Sequence, residues 1–117
     1  MKFCIDIDNT ICRTKREKYE TAEPIIERIK TINKLYEEGH TIIILTARGS
    51  ETGKDWKELT KTQLSDWGVK HHRLVFGKPA ADFYVDDKNL ETWWLGDYPR
   101  LKEVLPTIEK IMKKHNE

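Results

Sequence analysis

The sequence contains little cysteine and no long apolar run. Its 117 residues include two cysteines, Cys4 and Cys12, which exclude a disulfide framework and favour a reducing, cytoplasmic compartment. Cys4 lies in an apolar segment and is expected to be a core thiol. No segment approaches the roughly 20 apolar residues that a bilayer-spanning helix needs, and no signal-peptide pattern opens the chain, so no membrane partner is expected.

An excess of charge of one sign is also missing. Charged residues make up 35% of the chain, yet the formal net charge is only +1. Nothing global therefore attracts the polyanionic backbone of a nucleic acid, which disfavours nucleic acid as a partner. No linker rich in proline, glycine or serine divides the chain, and no repeat is visible. One domain over residues 1–117 is expected, and a homo-oligomer stays open.

Strand and helix patterns alternate along the chain. Apolar, β-prone runs predict strands that begin at Phe3 and cover Thr41–Leu45, His71–Phe76 and Asp82–Val85. Helical spacing predicts helices from Pro24 to the stop at Gly39, over about 55–67 with a stop at Gly68, and over the last 20 residues. This alternation predicts an α/β fold with a doubly wound, Rossmann-like parallel sheet and helices on both faces. The polar, aperiodic residues 11–22 are expected to form a loop or a small flap.

Polar residues follow each predicted strand. They are Asp6 and Asp8, Thr46, Lys78, and the pair Asp86 and Asp87. Because parallel strands bring their carboxyl ends to one edge, we expect these side chains to converge there. A carboxylate can attack phosphorus, a second acid can move protons, and a hydroxyl and a lysine can hold phosphate oxygens. Paired carboxylates also suit Mg²⁺. The pattern predicts phosphoryl transfer.

The four motifs Asp6-x-Asp8-x-Thr10, Thr46, Lys78 and Asp86-Asp87 resemble those of the haloacid dehalogenase-like (HAD) phosphatases, in the same order. Leu45-Thr46-Ala47-Arg48-Gly49, together with Tyr19-x-x-Ala22-x-Pro24 and Gln63-x-x-x-Trp67-Gly68, is similar to small phosphatases of bacterial capsule and surface-sugar biosynthesis. The gaps after Asp8 and after Thr46 are too short for an inserted cap domain. The resemblance therefore implies a HAD-like fold without a cap, with a site left open or closed by residues 11–22 or by a second subunit.

The resemblance also implies a role for each matching residue. Asp6 is expected to be the nucleophile and a magnesium ligand, and Asp8 the general acid and base, with its main-chain carbonyl on the metal. Asp86 would complete the metal site. Thr46, Ala47 and Lys78 are expected to bind the phosphoryl group.

Three further residues are assigned to the surroundings of the site. Asp87 would bind the metal through water or orient Lys78. Asn9 stands where these phosphatases often have glycine, and asparagine tolerates the same left-handed turn. Arg48 would contact substrate or pair with a structural acid.

The expected function is that of a Mg²⁺-dependent phosphomonoesterase working through an aspartyl-phosphate. Its substrate would be a small phosphorylated metabolite, with a sugar phosphate of capsule or polysaccharide biosynthesis favoured. Two alternatives stay open. One is a phosphatase acting on nucleotides or nucleic-acid ends, and the other is a non-catalytic domain that binds a phosphorylated ligand.

Overall fold

The computed structural model describes residues 1–115 of the chain. Three parallel strands and three helices alternate, and a small hairpin follows the first strand. The elements are β1 (Lys2–Asp6), β2 (Cys12–Arg13), β3 (Glu23–Pro24), α1 (Ile26–Glu37), β4 (Thr41–Thr46), α2 (Lys57–Asp66), β5 (Arg73–Phe76) and α3 (Tyr98–His115), with short 3₁₀ helices at Tyr19–Thr21 and Thr92–Gly96. None of these described helices is long and apolar enough to cross a membrane.

The main sheet is parallel and has the order β1-β4-β5. Its register sets Asp6 beside Leu45 and Thr46 beside Phe76, so the three strands end at a common edge. Parallel neighbours need a crossover between them, which α1 supplies from β1 to β4 and α2 from β4 to β5. The α/β class predicted from the sequence is therefore confirmed, and the architecture is consistent with a Rossmann-like fold.

Both crossover helices end at a glycine with a left-handed backbone. At the end of α1 the amide of Gly39, at φ 94°, bonds the carbonyl of Tyr36, and the amide of His40 bonds that of Leu35. Gly68 ends α2 in the equivalent way: its amide bonds the carbonyl of Ser65, and the amide of Val69 bonds that of Leu64. This arrangement satisfies carbonyls that a helix end leaves unpaired. Both stops were predicted from the sequence and are confirmed.

The core lies on one face of the sheet. Ile42, Ile44 and Thr46 of β4 are completely buried. The helices supply further large buried side chains, among them Ile32, Leu35, Leu64 and Leu101, and the segment after β1 supplies Ile7 and Ile11. Each buried isoleucine or leucine contributes about 1.5–3 kcal/mol. On the other face Ile43 and Leu45 are half-buried and Cys4 is exposed. Helices over both faces, and hence a doubly wound sheet, stay a prediction.

The predicted strand Asp82–Val85 is wrong. Residues 77–91 contain no helix or strand, and the side chains of Phe83 and Val85 are 87% and 99% exposed. A run of β-prone residues forms a strand only when it can pair with the edge of a sheet and pack against an apolar layer. Since the described sheet consists of three strands, it does not carry Asp86 to its edge.

Two smaller predictions change, and the expected flap is present. Helix α1 begins at Ile26, because Pro24 pairs with Cys12 in the two-stranded β2–β3 ladder. Residues 11–22 belong to this hairpin-like flap, which has a short 3₁₀ helix at Tyr19–Thr21 just before β3. Cys4 is exposed and Cys12 is the buried cysteine, because Cys4 lies on the less covered face of β1.

Candidate active site

Asp6 lies at the carboxyl end of β1 and is held on both oxygens. Its Oδ1 is 3.4 Å from Nζ of Lys78, and its Oδ2 accepts a hydrogen bond from the Thr10 hydroxyl at 3.3 Å. Burial raises the pKa of Asp6 above its ordinary value, although the ammonium group of Lys78 acts in the opposite direction. The structure thus brings the first and third predicted motifs together around one carboxylate.

Lys78 is positioned by its own main chain and by a neighbouring ring. Its amide donates to the carbonyl of Thr46 at 3.1 Å, which ties the loop after β5 to the end of β4. Its ammonium group lies 4.1 Å from the ring centre of Tyr84, whose hydroxyl donates to the carbonyl of Pro79. Only 18% of the Lys78 side chain is exposed, so this cation is directed into the site.

Asp8 forms a two-pronged ion pair with Arg48. Nε of Arg48 donates to Oδ2 at 3.0 Å, and Nη2 donates to Oδ1 at 2.9 Å. The hydroxyl of Thr14 donates to the same Oδ1 at 2.6 Å. The Arg48 side chain is completely buried, whereas that of Asp8 keeps 21% exposure. The structure therefore pairs Arg48 with the predicted acid and base itself.

Arg48 is in turn held by α2 and by the flap. Its Nη1 donates to Oγ1 of Thr60 at 3.1 Å and to Oε1 of Gln63 at 2.6 Å. The Tyr19 ring lies 4.7 Å from the guanidinium carbon, and the Tyr19 carbonyl accepts from Nε2 of Gln63 at 2.6 Å. A buried guanidinium needs such partners, since an unpaired buried donor is costly.

The sequence interpretation assigned no role to these partners of Arg48. Tyr19 and Gln63 were among the residues that carry the resemblance, and this was the available signal. Thr60 precedes Gln63 by three positions, so the two share one face of α2. Nothing in the sequence pointed to Thr14 as a partner of Asp8.

Three predicted residues lie in or beside the turns after β1 and β4. Asn9 has a φ of 61°, which confirms its predicted left-handed turn, and its side chain accepts the Thr14 amide at 3.1 Å. Thr46 is completely buried, and its hydroxyl accepts the amide of Arg48 at 3.1 Å. The half-buried Ala47 lines a cavity of about 90 Å³ between the flap and the loop after β4. Phosphate binding by Thr46 and Ala47 stays a prediction.

Asp86 and Asp87 are not brought to this cluster by the described fold. Both are exposed, and Oδ1 of Asp86 accepts the amide of Lys88 at 2.8 Å, which lowers the pKa of Asp86. Within residues 1–115 no three histidine, cysteine, aspartate or glutamate side chains group as a metal site. The predicted set of Asp6, Asp8 and Asp86 is therefore not assembled. The Asp6 carboxylate is a hard oxygen ligand of the kind that Mg²⁺ takes while keeping several waters.

The fold recurs in a known structure. A crystal structure of a structural-genomics target from Vibrio cholerae is similar over 93% of this chain and 97% of its own, with a TM-score of 0.78 and 24% sequence identity. At that identity the likeness shows the fold alone. The chain matches no protein-family model and no curated protein.

Proposed function

We propose that this protein is a Mg²⁺-dependent phosphomonoesterase of the capless HAD-like type. The observation that carries the proposal is the cluster at the end of β1, where Asp6 lies 3.4 Å from the Lys78 ammonium group and the ion-paired Asp8 follows two residues later. A nucleophilic carboxylate beside a phosphate-binding cation, with a second acid close by in the chain, is the arrangement that transfer through an aspartyl-phosphate needs.

The chemistry divides into two displacements. In the first, an oxygen of Asp6 bonds to phosphorus, the ester P–O bond breaks, and the leaving oxygen takes a proton from Asp8. In the second, a water oxygen attacks the same phosphorus, gives its proton to Asp8, and frees Asp6 and inorganic phosphate. Lys78 holds a non-bridging oxygen and offsets the repulsion between the carboxylate and the phosphate dianion.

Magnesium is part of the proposal. The carboxylate of Asp6 and the main-chain carbonyl of Asp8 would hold it, with waters in its remaining positions, since Mg²⁺ commonly binds through one or two carboxylates. When bound, the ion would neutralise charge on the phosphoryl oxygens. Asp86 does not group with Asp6 and Asp8 as a metal site in the described residues and is left out of this smaller ligand set.

The proposed substrate is a small phosphorylated metabolite, with a sugar phosphate favoured. The cavity beside Ala47 is lined by Tyr19 and Trp56 and by the carboxylates Glu17 and Glu51. Acidic groups beside the site disfavour polyanions such as nucleic acid. Within residues 1–115 no inserted domain covers the site, so the flap over residues 11–22 is the segment best placed to cover it.

A second candidate is a domain that binds a phosphorylated ligand without turnover. It is favoured by the ion pair of Asp8, which engages both carboxylate oxygens, and by the absence, among the described residues, of a grouping of Asp86 with Asp6 and Asp8. The two candidates differ in whether phosphate is released, and one assay separates them.

The test is phosphate release from a panel of sugar phosphates, nucleotides and 4-nitrophenyl phosphate, with and without Mg²⁺. The proposal expects magnesium-dependent release by the wild-type protein and none by Asp6→Asn, because an amide cannot attack phosphorus. Asp66→Asn, the same change at an exposed position on α2, is the matched control and should keep full activity. Release by Asp6→Asn would remove Asp6 as the nucleophile. Binding of a phosphate ester without release would favour the second candidate.

A further inference from the structure

The two oxygens of the Asp8 carboxylate accept different numbers of hydrogen bonds. Its Oδ1 accepts hydrogen bonds from Nη2 of Arg48 at 2.9 Å and from the Thr14 hydroxyl at 2.6 Å, and the Cys12 thiol lies 3.7 Å from the same oxygen. Its Oδ2 accepts one, from Nε of Arg48 at 3.0 Å. Each carboxylate oxygen offers about two lone-pair sites. Oδ1 is therefore saturated, and Oδ2 keeps one site for a proton.

The geometry points to Arg48 as the positioning residue that presents Oδ2 of Asp8 to the leaving oxygen of the substrate. This inference rests on the proposed function, because it assigns Asp8 the role of the acid. A planar guanidinium that bridges both oxygens fixes the rotation of the carboxylate about its χ2 bond, which a single hydrogen bond does not. Arg48 itself contacts neither the substrate nor Asp6 in this scheme.

The contacts that Arg48 makes with α2 and the flap hold its guanidinium in this orientation. Thr60 and Gln63 of α2 accept both hydrogen bonds of Nη1, and the Tyr19 ring covers the guanidinium. Because Gln63 also donates to the Tyr19 carbonyl, the flap and α2 close on the arginine together. The orientation of Asp8 thus depends on two elements distant in sequence, joined through one buried cation.

The consequence is a selective dependence on the leaving group. An alkoxide leaves poorly unless a proton reaches it, whereas nitrophenolate leaves without that help. A variant that misplaces Oδ2 should therefore lose the proton-transfer contribution, about 10²–10⁴-fold, on a sugar phosphate. In kcat/KM, which reports the first displacement alone, the same variant should lose less than about tenfold on 4-nitrophenyl phosphate. Its kcat should fall on both esters, because Asp8 is also the base of the second displacement. A general structural defect would lower both kcat/KM values alike.

The experiment measures kcat and KM on both esters for wild type, Arg48→Met and Arg48→Lys. The ratio of kcat/KM on the sugar phosphate to kcat/KM on 4-nitrophenyl phosphate should fall most in Arg48→Met. It should recover only in part in Arg48→Lys, since one ammonium cannot bridge both oxygens. Lys61→Met removes an exposed cation from α2 and is the matched control, with an unchanged ratio expected. Thermal unfolding of each variant verifies that it is folded.

Two milder variants keep the test decisive if Arg48→Met does not fold. Thr14→Val removes one donor to Oδ1, and Thr60→Val removes one acceptor of Arg48, and each leaves the ion pair in place. Both should lower the ratio by several-fold. Equal loss on the two esters, or an unchanged ratio in the Arg48 and Thr14 variants, would overturn the inference. So would a wild-type protein active on the aryl ester alone. A wild-type protein inactive on both esters would instead refute the proposed function.

Discussion

Replacing Gly49 with alanine tests how tightly the loop after β4 is built. Gly49 has a φ of 82°, and a Cβ placed on it would come closer than 3.0 Å to the carbonyl oxygen of Lys54. The loop cannot easily yield, because the amide of Gly53 donates to the Gly49 carbonyl at 2.8 Å and the Ser50 hydroxyl donates to the Lys78 carbonyl at 2.7 Å. The substitution therefore forces one side of this turn to move.

Gly53 supplies the matched control. Its φ is 73°, but a Cβ there would meet nothing within 4 Å. Both alanine variants carry the cost of a left-handed backbone, about 1–2 kcal/mol. Gly49→Ala should add about 1–3 kcal/mol for the overlap with the main chain, as overpacking typically does. Against a typical stability of about 5–15 kcal/mol, this difference is easily measured.

Urea unfolding followed by tryptophan fluorescence gives the free energy of unfolding of each variant. Gly49→Ala should unfold at a clearly lower urea concentration than Gly53→Ala, with a similar slope. Since Gly49 follows Arg48, its replacement should also lower turnover of a sugar phosphate, while Gly53→Ala should change turnover little. Equal losses of stability in the two variants would refute the described packing of this loop.

Asp8→Asn should lower kcat by about 10²–10⁴-fold while phosphate binding persists, and loss of binding measured by calorimetry would contradict the role of acid and base proposed for Asp8. Excess chelator should silence phosphate release and added Mg²⁺ restore it, so activity that persists in chelator would exclude the metal. Cys4 should react with a thiol reagent in the folded protein, whereas Cys12 should react only after unfolding, because burial keeps it from solvent and raises its thiol pKa. Cys4→Ser should abolish the fast reaction, and a fast phase that remains would contradict the burial of Cys12.

Local patterns were enough to predict most elements of the sheet. The β-branched run at Thr41–Leu45 and the glycines that end α1 and α2 act through short-range sterics, and all are found where expected. The predicted start of α1 was two residues early. Pro24 is compatible both with a first helical turn and with a short strand at an edge, and only its pairing with Cys12 decided between them.

The polar residues that follow the predicted strands also predicted part of the candidate site correctly. Parallel strands must end at the same edge, so the motifs after β1 and β5 were expected to meet, and Asp6 and Lys78 do. The same reasoning failed for Asp86, because the strand that would have carried it is absent from the described sheet. Exposed Phe83 and Val85 show that β-prone residues alone do not make a strand.

The sequence by itself determined the α/β class, the helix ends and the acids after β1, because propensity, periodicity and turn chemistry act over a few residues. Only the tertiary structure decided that Arg48 reaches back to Asp8 and is held by Thr60 and Gln63. Contacts between residues so far apart depend on how β4, α2 and the flap pack. The partner of a buried charge is therefore chosen by the assembled fold, since burying that charge is tolerable only where the fold supplies the opposite one.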